Sequence, residues 1–431
     1  MFDVDMAKTL QHLTYQHINK KPVNDRMKYQ LRCKKCGKVI ADFATWFQQD
    51  QQCECGSGYA EVEYADSTPF SFGKPINGSY QDYYFDVLPI EKRDNVVSFN
   101  EGLIPMERWD NLEAYAKKNG VDCKVFVYRN DQNAGSGSFK DISAALAATV
   151  LKENGVKEYC LASTGNAGVA FATYLAKAGI KFTEFAPNCI DPATVEAIRK
   201  VGQPIVISKG GYGDAKAEAA AYHKENHVLI SGGNTDPLRI ESKRLLAYEC
   251  LRQMGQLPTV YMQAVAGGTS PLAFEKGFRD LKRCGMIDAD AELPRMLLVQ
   301  QDECDPMVTA WEKATATGFP EGWEKDYEAK KDIKTRIGIL TAANPGNYPL
   351  VAPLVRKSGG TFLRVAEAEL PQYGKEMKKS QRTLMGPASM VCYTGFFQAV
   401  DKGLIKSGDT VLLNTGEGSD RAGWFRELVE K

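Results

Sequence analysis

From residue 124 to residue 420 the chain alternates short apolar runs with amphipathic stretches in a fixed order. KVFVYRN (124–130) precedes DISAALAATVLKEN (141–154), KEYCLAS precedes a helical pattern from about Asn166, and KFTEFA precedes one from about Pro192. PIVIS, HVLIS, TVYMQAVA (259–266) and RMLLVQQ (295–301) are each followed by another: after Gly213, after Pro237, over PLAFEKGFRDL, and near Pro306 to Ala316. DTVLLNTGEGSD (409–420) is the last such unit. A strand followed by a helix, repeated, predicts a parallel sheet covered on both faces, an α/β architecture whose ligands sit beyond the carboxyl ends of the strands. The charged segment 318–335 interrupts the pattern and reads as a surface loop or helix.

Charge narrows the ligand. Lys plus Arg and Asp plus Glu both total 54, so no global field favours nucleic acid or an anionic membrane, and recognition has to be local. No apolar run approaches the roughly 20 residues of a membrane span, and MFDVDMAKTL lacks the regions of a secretory signal, so a cytoplasmic protein is expected. Of eleven cysteines, Cys123, Cys160, Cys189, Cys250, Cys284, Cys304 and Cys392 are scattered singly and read as reduced core thiols.

The other four, Cys33, Cys36, Cys53 and Cys55, form a CxxC and a CxC sixteen residues apart, followed by Gly37 and Gly56 where tight turns need them. Four thiolates satisfy a tetrahedral zinc ion and leave no open position, so a structural zinc ribbon is expected over 29–75, after an extension of 1–28. A ribbon that binds nucleic acid, with the α/β body as scaffold, is the alternative from another class. Zero net charge and the lack of interleaved basic and aromatic residues around the ribbon argue against it.

Three glycine-rich turns stand at strand ends. In LASTGNAGVA, Ser163, Thr164, Gly165 and Asn166 open a helix whose free N–H groups can hold a carboxylate. In AVAGGTSPLAF, Gly267, Gly268, Thr269 and Ser270 precede Pro271, a loop suited to a phosphate. LLNTGEG places Thr415 at the third strand end. Ahead of them lies GSGSFKD (135–141), whose Lys140 is not preceded by glycine or followed by Ser or Thr, as a nucleotide loop requires. Beside Phe139 and at a helix start, partial burial and the helix dipole would lower its pKa and make it a nucleophile toward an aldehyde. A solvated lysine is the other possibility, and it carries the wrong charge for a helix N-terminus. His223 and His227 in YHKENH do not fit HExxH; His227 starts a strand pattern, and both read as surface residues.

SFKD, STGNAG, AGGTS, GPAS (386–389) and NTGEG, in that order, resemble the threonine synthase branch of the fold type II pyridoxal phosphate enzymes, over about residues 76 to 424. Some members of that branch carry an amino-terminal zinc ribbon. The resemblance implies a tryptophan synthase β-like fold with two parallel-sheet domains, a catalytic region over 76–431, a smaller α/β subdomain at about 150–235, and a homodimer. It implies that Lys140 links covalently to pyridoxal phosphate and moves the substrate's protons. Asn166 would bond the cofactor's ring hydroxyl, Gly267, Gly268, Thr269 and Ser270 its phosphate, and Thr415 its pyridine nitrogen. Ser163 and Thr164 would hold the substrate carboxylate, and Arg239 in NTDPLRIESKR the substrate's own phosphate. Arg239 on a surface salt bridge is the plain alternative.

The implied reaction converts phosphohomoserine and water to threonine and phosphate. Departures lie around the substrate: Ile142 and Ser143 stand where the family usually has arginine and glycine, Gly233, Asn234 and Asp236 alter the stretch before Arg239, and Glu417 replaces a common histidine. A related enzyme, cysteate synthase, uses phosphoserine and sulfite, and YMQAVAGGTS and LVQQDECDPMVTAW are somewhat similar to it. Phosphoserine is one methylene shorter and loses phosphate by a single β-elimination.

Overall fold

The computed structural model describes residues 28–64, 70–331 and 333–431; the expected extension lies outside these, apart from Lys28. Strands β1 (Tyr29–Cys33), β2 (Val39–Ile40) and β3 (Ala60–Tyr64) form a small antiparallel sheet in the order β2-β1-β3. Alternation sets its faces: in β3, Ala60, Val62 and Tyr64 are buried while Glu61 and Glu63 keep solvent contact. A short helix, Phe43–Gln48, begins where the Asp42 carboxylate accepts from the Thr45 N–H at 2.7 Å, and it buries Phe43 and Trp46.

The body holds two parallel sheets. Strand β4 (Met106–Arg108) pairs antiparallel with β5 (Lys124–Tyr128). The chain then builds β6 (Glu158–Ala162), β7 (Lys181–Ala186), β8 (Ile205–Ile207) and β9 (Leu229–Ile230), a parallel sheet in the order β8-β7-β6-β9. It returns through β10 (Val260–Ala264), β11 (Arg295–Gln301), β12 (Thr361–Val365) and β13 (Thr410–Asn414). The larger sheet has the order β12-β11-β10-β13-β5-β4 and is parallel except at β4. Continuously apolar strands such as VYMQA and TVLLN are what a sheet covered on both faces requires. Among the described residues no helix is long and apolar enough to cross a membrane.

Helix Lys140–Glu153 is more enclosed than an amphipathic pattern requires: every residue from Asp141 to Leu151 is buried. Helix Pro237–Met254 does not read as buried, yet every residue from Pro237 to Cys250 is, including Glu241 and Arg244. Their charges are matched by helix Thr269–Arg283. Arg244 Nε lies 2.6 Å from Glu241 Oε2, and Lys276 Nζ lies 2.9 Å from both Glu241 Oε1 and Asp280 Oδ2. Tyr64 of the small sheet donates to Glu241 Oε2 at 2.7 Å, and Arg279 reaches Glu61 at 2.5 Å. Buried ions persist only with such partners. The two helices approach closely at Gly277, where a Cβ would stand 2.2 Å from the Arg244 carbonyl oxygen and 2.9 Å from Ala247 Cβ. Gly277→Ala forces them apart, and urea denaturation should show a loss of about 2–3 kcal/mol with an unchanged slope.

Several expectations change. His227 does not start a strand; it ends helix Tyr212–Asn226 in the left-handed region, φ 53°. His223 is not a free surface residue: its Nδ1 is 2.6 Å from the Val228 carbonyl and its Nε2 is 3.2 Å from Asp50 of the ribbon. Cys189 is exposed and Cys284 half-buried, while the other five single cysteines are buried. The described residues of segment 318–335 are irregular apart from one short helical turn, Trp323–Lys325, in which Trp323 is buried against Trp311.

Candidate functional site

GSGSFKD folds around its own aspartate. The Asp141 carboxylate, fully buried, accepts from the Ser136 N–H at 2.8 Å and the Ser138 N–H at 3.3 Å. Burial pushes its carboxyl up to about 6 against the pull of those bonds. A Cβ at Gly135 would lie 2.6 Å from the Tyr174 ring, so only glycine fits there. The loop is then zipped to NTGEG: Phe139 N–H donates to the Gly416 carbonyl at 3.0 Å and Gly418 N–H to the Gly137 carbonyl at 2.9 Å. Ser389 of GPAS holds the other side, its hydroxyl accepting from the Gly416 and Glu417 N–H groups at 2.9 and 2.8 Å.

This framework fixes Lys140 as the first residue of its helix, with Nζ 3.8 Å from the Phe139 ring centroid and no hydrogen-bond partner among the described residues. Burial, then the charge of Arg239, lower its amine to about 7, and Glu417 opposes the shift. An amine that is about half neutral near pH 7 is a competent nucleophile and base.

The amine opens into a cavity of about 170 Å³ between the two parallel sheets, at the carboxyl ends of β6, β10 and β13. One wall is the loop Gly267–Ser270, which starts helix Thr269–Arg283. Gly268 has φ 73°, and a Cβ on Gly267 would sit 1.9 Å from Asn234 Nδ2. Thr269 Oγ1 donates to Asn234, 3.0 Å from its carbonyl oxygen and 3.1 Å from Oδ1, and Asn347 Nδ2 donates to the Gly267 carbonyl at 2.9 Å. Side chains thus brace the loop while the first amides of a fifteen-residue helix stay free for an anion.

Opposite lies Ser163–Asn166. The Ser163 hydroxyl accepts from Gly165 N–H at 3.0 Å and Gly168 N–H at 3.1 Å, so it shapes the turn, and Thr164 lines the cavity. Asn166 Nδ2 donates to Glu417 Oε2 at 2.5 Å, and Arg421 donates to Asn166 Oδ1 at 2.5 Å. Burial raises the Glu417 carboxyl against the pull of Asn166 and Arg421. Thr415 is placed differently from its neighbours: its hydroxyl donates to the Tyr128 carbonyl at 2.6 Å, and the strand end presents Asn414 and Gly416 to the cavity.

Arg239 is no surface residue. It lines the cavity, donates from Nη2 to Ser231 Oγ at 2.9 Å, and has a buried Nε without a partner. One turn on, Lys243 also faces the cavity, 5.1 Å from the Phe139 ring centroid. Sequence reasoning missed Lys243 and the structural part played by Asp141, and it marked Asn234 as a departure before Arg239 without its role in bracing the glycine loop. The signal for Lys243 was its position four residues after Arg239, masked because ESKR reads as a solvated run.

The four ribbon cysteines meet. Their sulfurs all lie within 4.8 Å of one another, Cys33 to Cys55 and Cys36 to Cys53 at 3.6 Å each. A tetrahedral ion with bonds of about 2.3 Å sets sulfurs roughly 3.8 Å apart, so this donor set fits one. Gly37 and Gly56 supply the left-handed turns, φ 75° and 77°.

A family model described as pyridoxal-phosphate dependent enzyme matches residues 97–416. The chain is similar to a threonine synthase of Methanocaldococcus jannaschii, 28% identical over 399 residues, covering 90% of this chain and 92% of that one. It is similar also to a threonine synthase of Methanosarcina acetivorans, 29% identical over 339 residues, 77% and 78% of the two chains. Among solved structures, a threonine deaminase isoform 2 of Solanum lycopersicum superposes with a TM-score of 0.61 at 16% identity, over 85% of this chain and 98% of that one.

Proposed function

For a chain that belongs to the pyridoxal-phosphate-dependent enzyme family, we propose elimination and replacement on an O-phosphorylated amino acid, in the manner of a threonine synthase: phosphohomoserine and water to threonine and phosphate. One observation carries this. The cavity has two anion seats on different elements, the free amides at Gly267–Ser270 and the guanidinium of Arg239. One suits the phosphate of the cofactor and the other the phosphate of the substrate.

Pyridoxal phosphate supplies the electron sink that acidifies the bonds at the substrate's Cα. The Lys140 amine, lowered to about 7, takes the Cα proton and carries protons between carbons. The turn at Ser163 and Thr164 seats the carboxylate on the amides that open helix Asn166–Ala178. Arg239 holds the phosphate while the C–O bond breaks and its electrons leave with the oxygen. Asn166, held by Glu417 and Arg421, would bond the cofactor's ring hydroxyl. For Thr415 to face the pyridine nitrogen, its hydroxyl must exchange its bond to Tyr128.

The test is phosphate release from phosphohomoserine and from phosphoserine, each with and without sulfite, with products identified by mass. Threonine from phosphohomoserine is expected. Release from phosphoserine alone, with cysteate formed in sulfite, moves the assignment to β-replacement; release from neither overturns it. For the ribbon we propose one structural zinc. Metal analysis should give one equivalent per chain, and a Cys33→Ser protein that keeps it in full would exclude the four-thiolate site.

A further inference from the structure

Helix Pro237–Met254 treats its charges in two ways. Glu241, Arg244 and Glu249 are buried and paired within the protein. Arg239 and Lys243, equally enclosed, form no ion pair among the described residues, and both face the cavity. The Lys243 amine stands 5.1 Å from the centroid of the Phe139 ring, the same ring that lies against Lys140. A ring face tolerates a cation without fixing it, whereas a carboxylate would have neutralised it permanently. Burial, then Lys140 and Arg239, drive the Lys243 amine well below its usual basicity, and Asp236 alone opposes them. An amine with no hydrogen bond or ion pair among the described residues is unfavourable to folding in such a place, and Asp236 and the Phe139 ring offset it only in part.

We propose that Lys243 is a specificity-determining residue: with Arg239 it forms a two-cation seat for a tetrahedral, doubly charged oxyanion, and it makes the enzyme prefer phosphorylated over uncharged substrates. The seat is inferred from these residues; that the oxyanion arrives as a substrate's leaving group rests on the function proposed above. Arg239 supplies planar, directed donors and Lys243 a compact charge on a flexible stem, so the pair can follow the oxyanion as its bond to carbon lengthens. A dianion is balanced when Lys243 takes up a proton on its arrival.

The holoenzyme, with cofactor content measured, is titrated with inorganic phosphate by calorimetry as wild type, Lys243→Met and Lys243→Arg. Phosphate affinity should fall about tenfold or more in the methionine variant and stay within about threefold in the arginine variant, since one charge-assisted contact is at stake. Inhibition by homoserine, which lacks the oxyanion, should be unchanged in all three. Equal phosphate affinity in wild type and Lys243→Met overturns the seat, as does a parallel loss of homoserine inhibition, which would mark a structural role. Loss of phosphate binding in an enzyme that turns over neither phosphorylated amino acid would sustain the seat while removing the proposed reaction.

Discussion

Lys140→Met should abolish the visible absorbance of the lysine-linked cofactor and lower turnover by about 10³-fold or more, because in the proposed reaction one side chain supplies both the covalent anchor and the proton carrier. The same substitution should stabilise the cofactor-free protein. Burial and Arg239 depress the Lys140 amine to about 7 in the folded chain, against about 10.4 when unfolded. Between those values the unfolded chain binds more protons, so stability rises with pH through that window, and the unfavourable term is complete below pH 7. Methionine removes it. With the water that reaches the cavity allowed for, the gain at pH 7 should be on the order of 1–3 kcal/mol, should shrink to a small remainder by pH 10 and should vanish above about pH 10.4. Denaturation of both apo-proteins at pH 7 and pH 10 checks this. Equal stabilities at both pH values would mean that the amine is solvated.

Arg239→Ala should reduce kcat/KM for the phosphorylated substrate by about 10²–10³-fold, the range for removing one partner of a buried, charge-assisted contact. Its damage extends beyond the missing donor. Glu184 and Asp236 are buried carboxylates whose pKa values burial raises and Arg239 holds down. Without the guanidinium both gain protons more easily, and the helix start capped by Asp236 on the Leu238 N–H at 2.9 Å weakens. Saturation kinetics with phosphohomoserine, beside thermal unfolding, separates the two effects. Unchanged kinetics would remove Arg239 from the substrate site.

Hydrophobic period exposed the strand and helix succession from Lys124 to Ala316 because each element carries its own signal. The order in which strands pair does not, since β13 lies between β10 and β5 through contacts that no local pattern encodes. Strand β12 and helix Tyr348–Lys357 escaped detection; that helix contains Pro349 and Pro353, which read as breakers. At the site, glycine turns were legible because chain geometry requires them. Lys243 was not, because charge predicts exposure unless a partner on another helix is known, and the partners of its neighbours come from residues 276 and 280.

The boundary between the cysteine ribbon and the body divides the sequence but not its electrostatics. Glu61, with the Tyr64 hydroxyl as a donor, completes a set of ions whose other members, Glu241, Arg244, Lys276, Arg279 and Asp280, belong to the two helices that carry the proposed anion donors of the cavity. Gln51 of the ribbon also donates to the Ile230 carbonyl at 2.6 Å, beside the Ser231 that holds Arg239. With the proposed zinc bound, a chelator that strips the cysteines would then act as an inhibitor at a distance: loosening the ribbon leaves two helices with unmatched ions, and the charges that face the cavity lose their alignment.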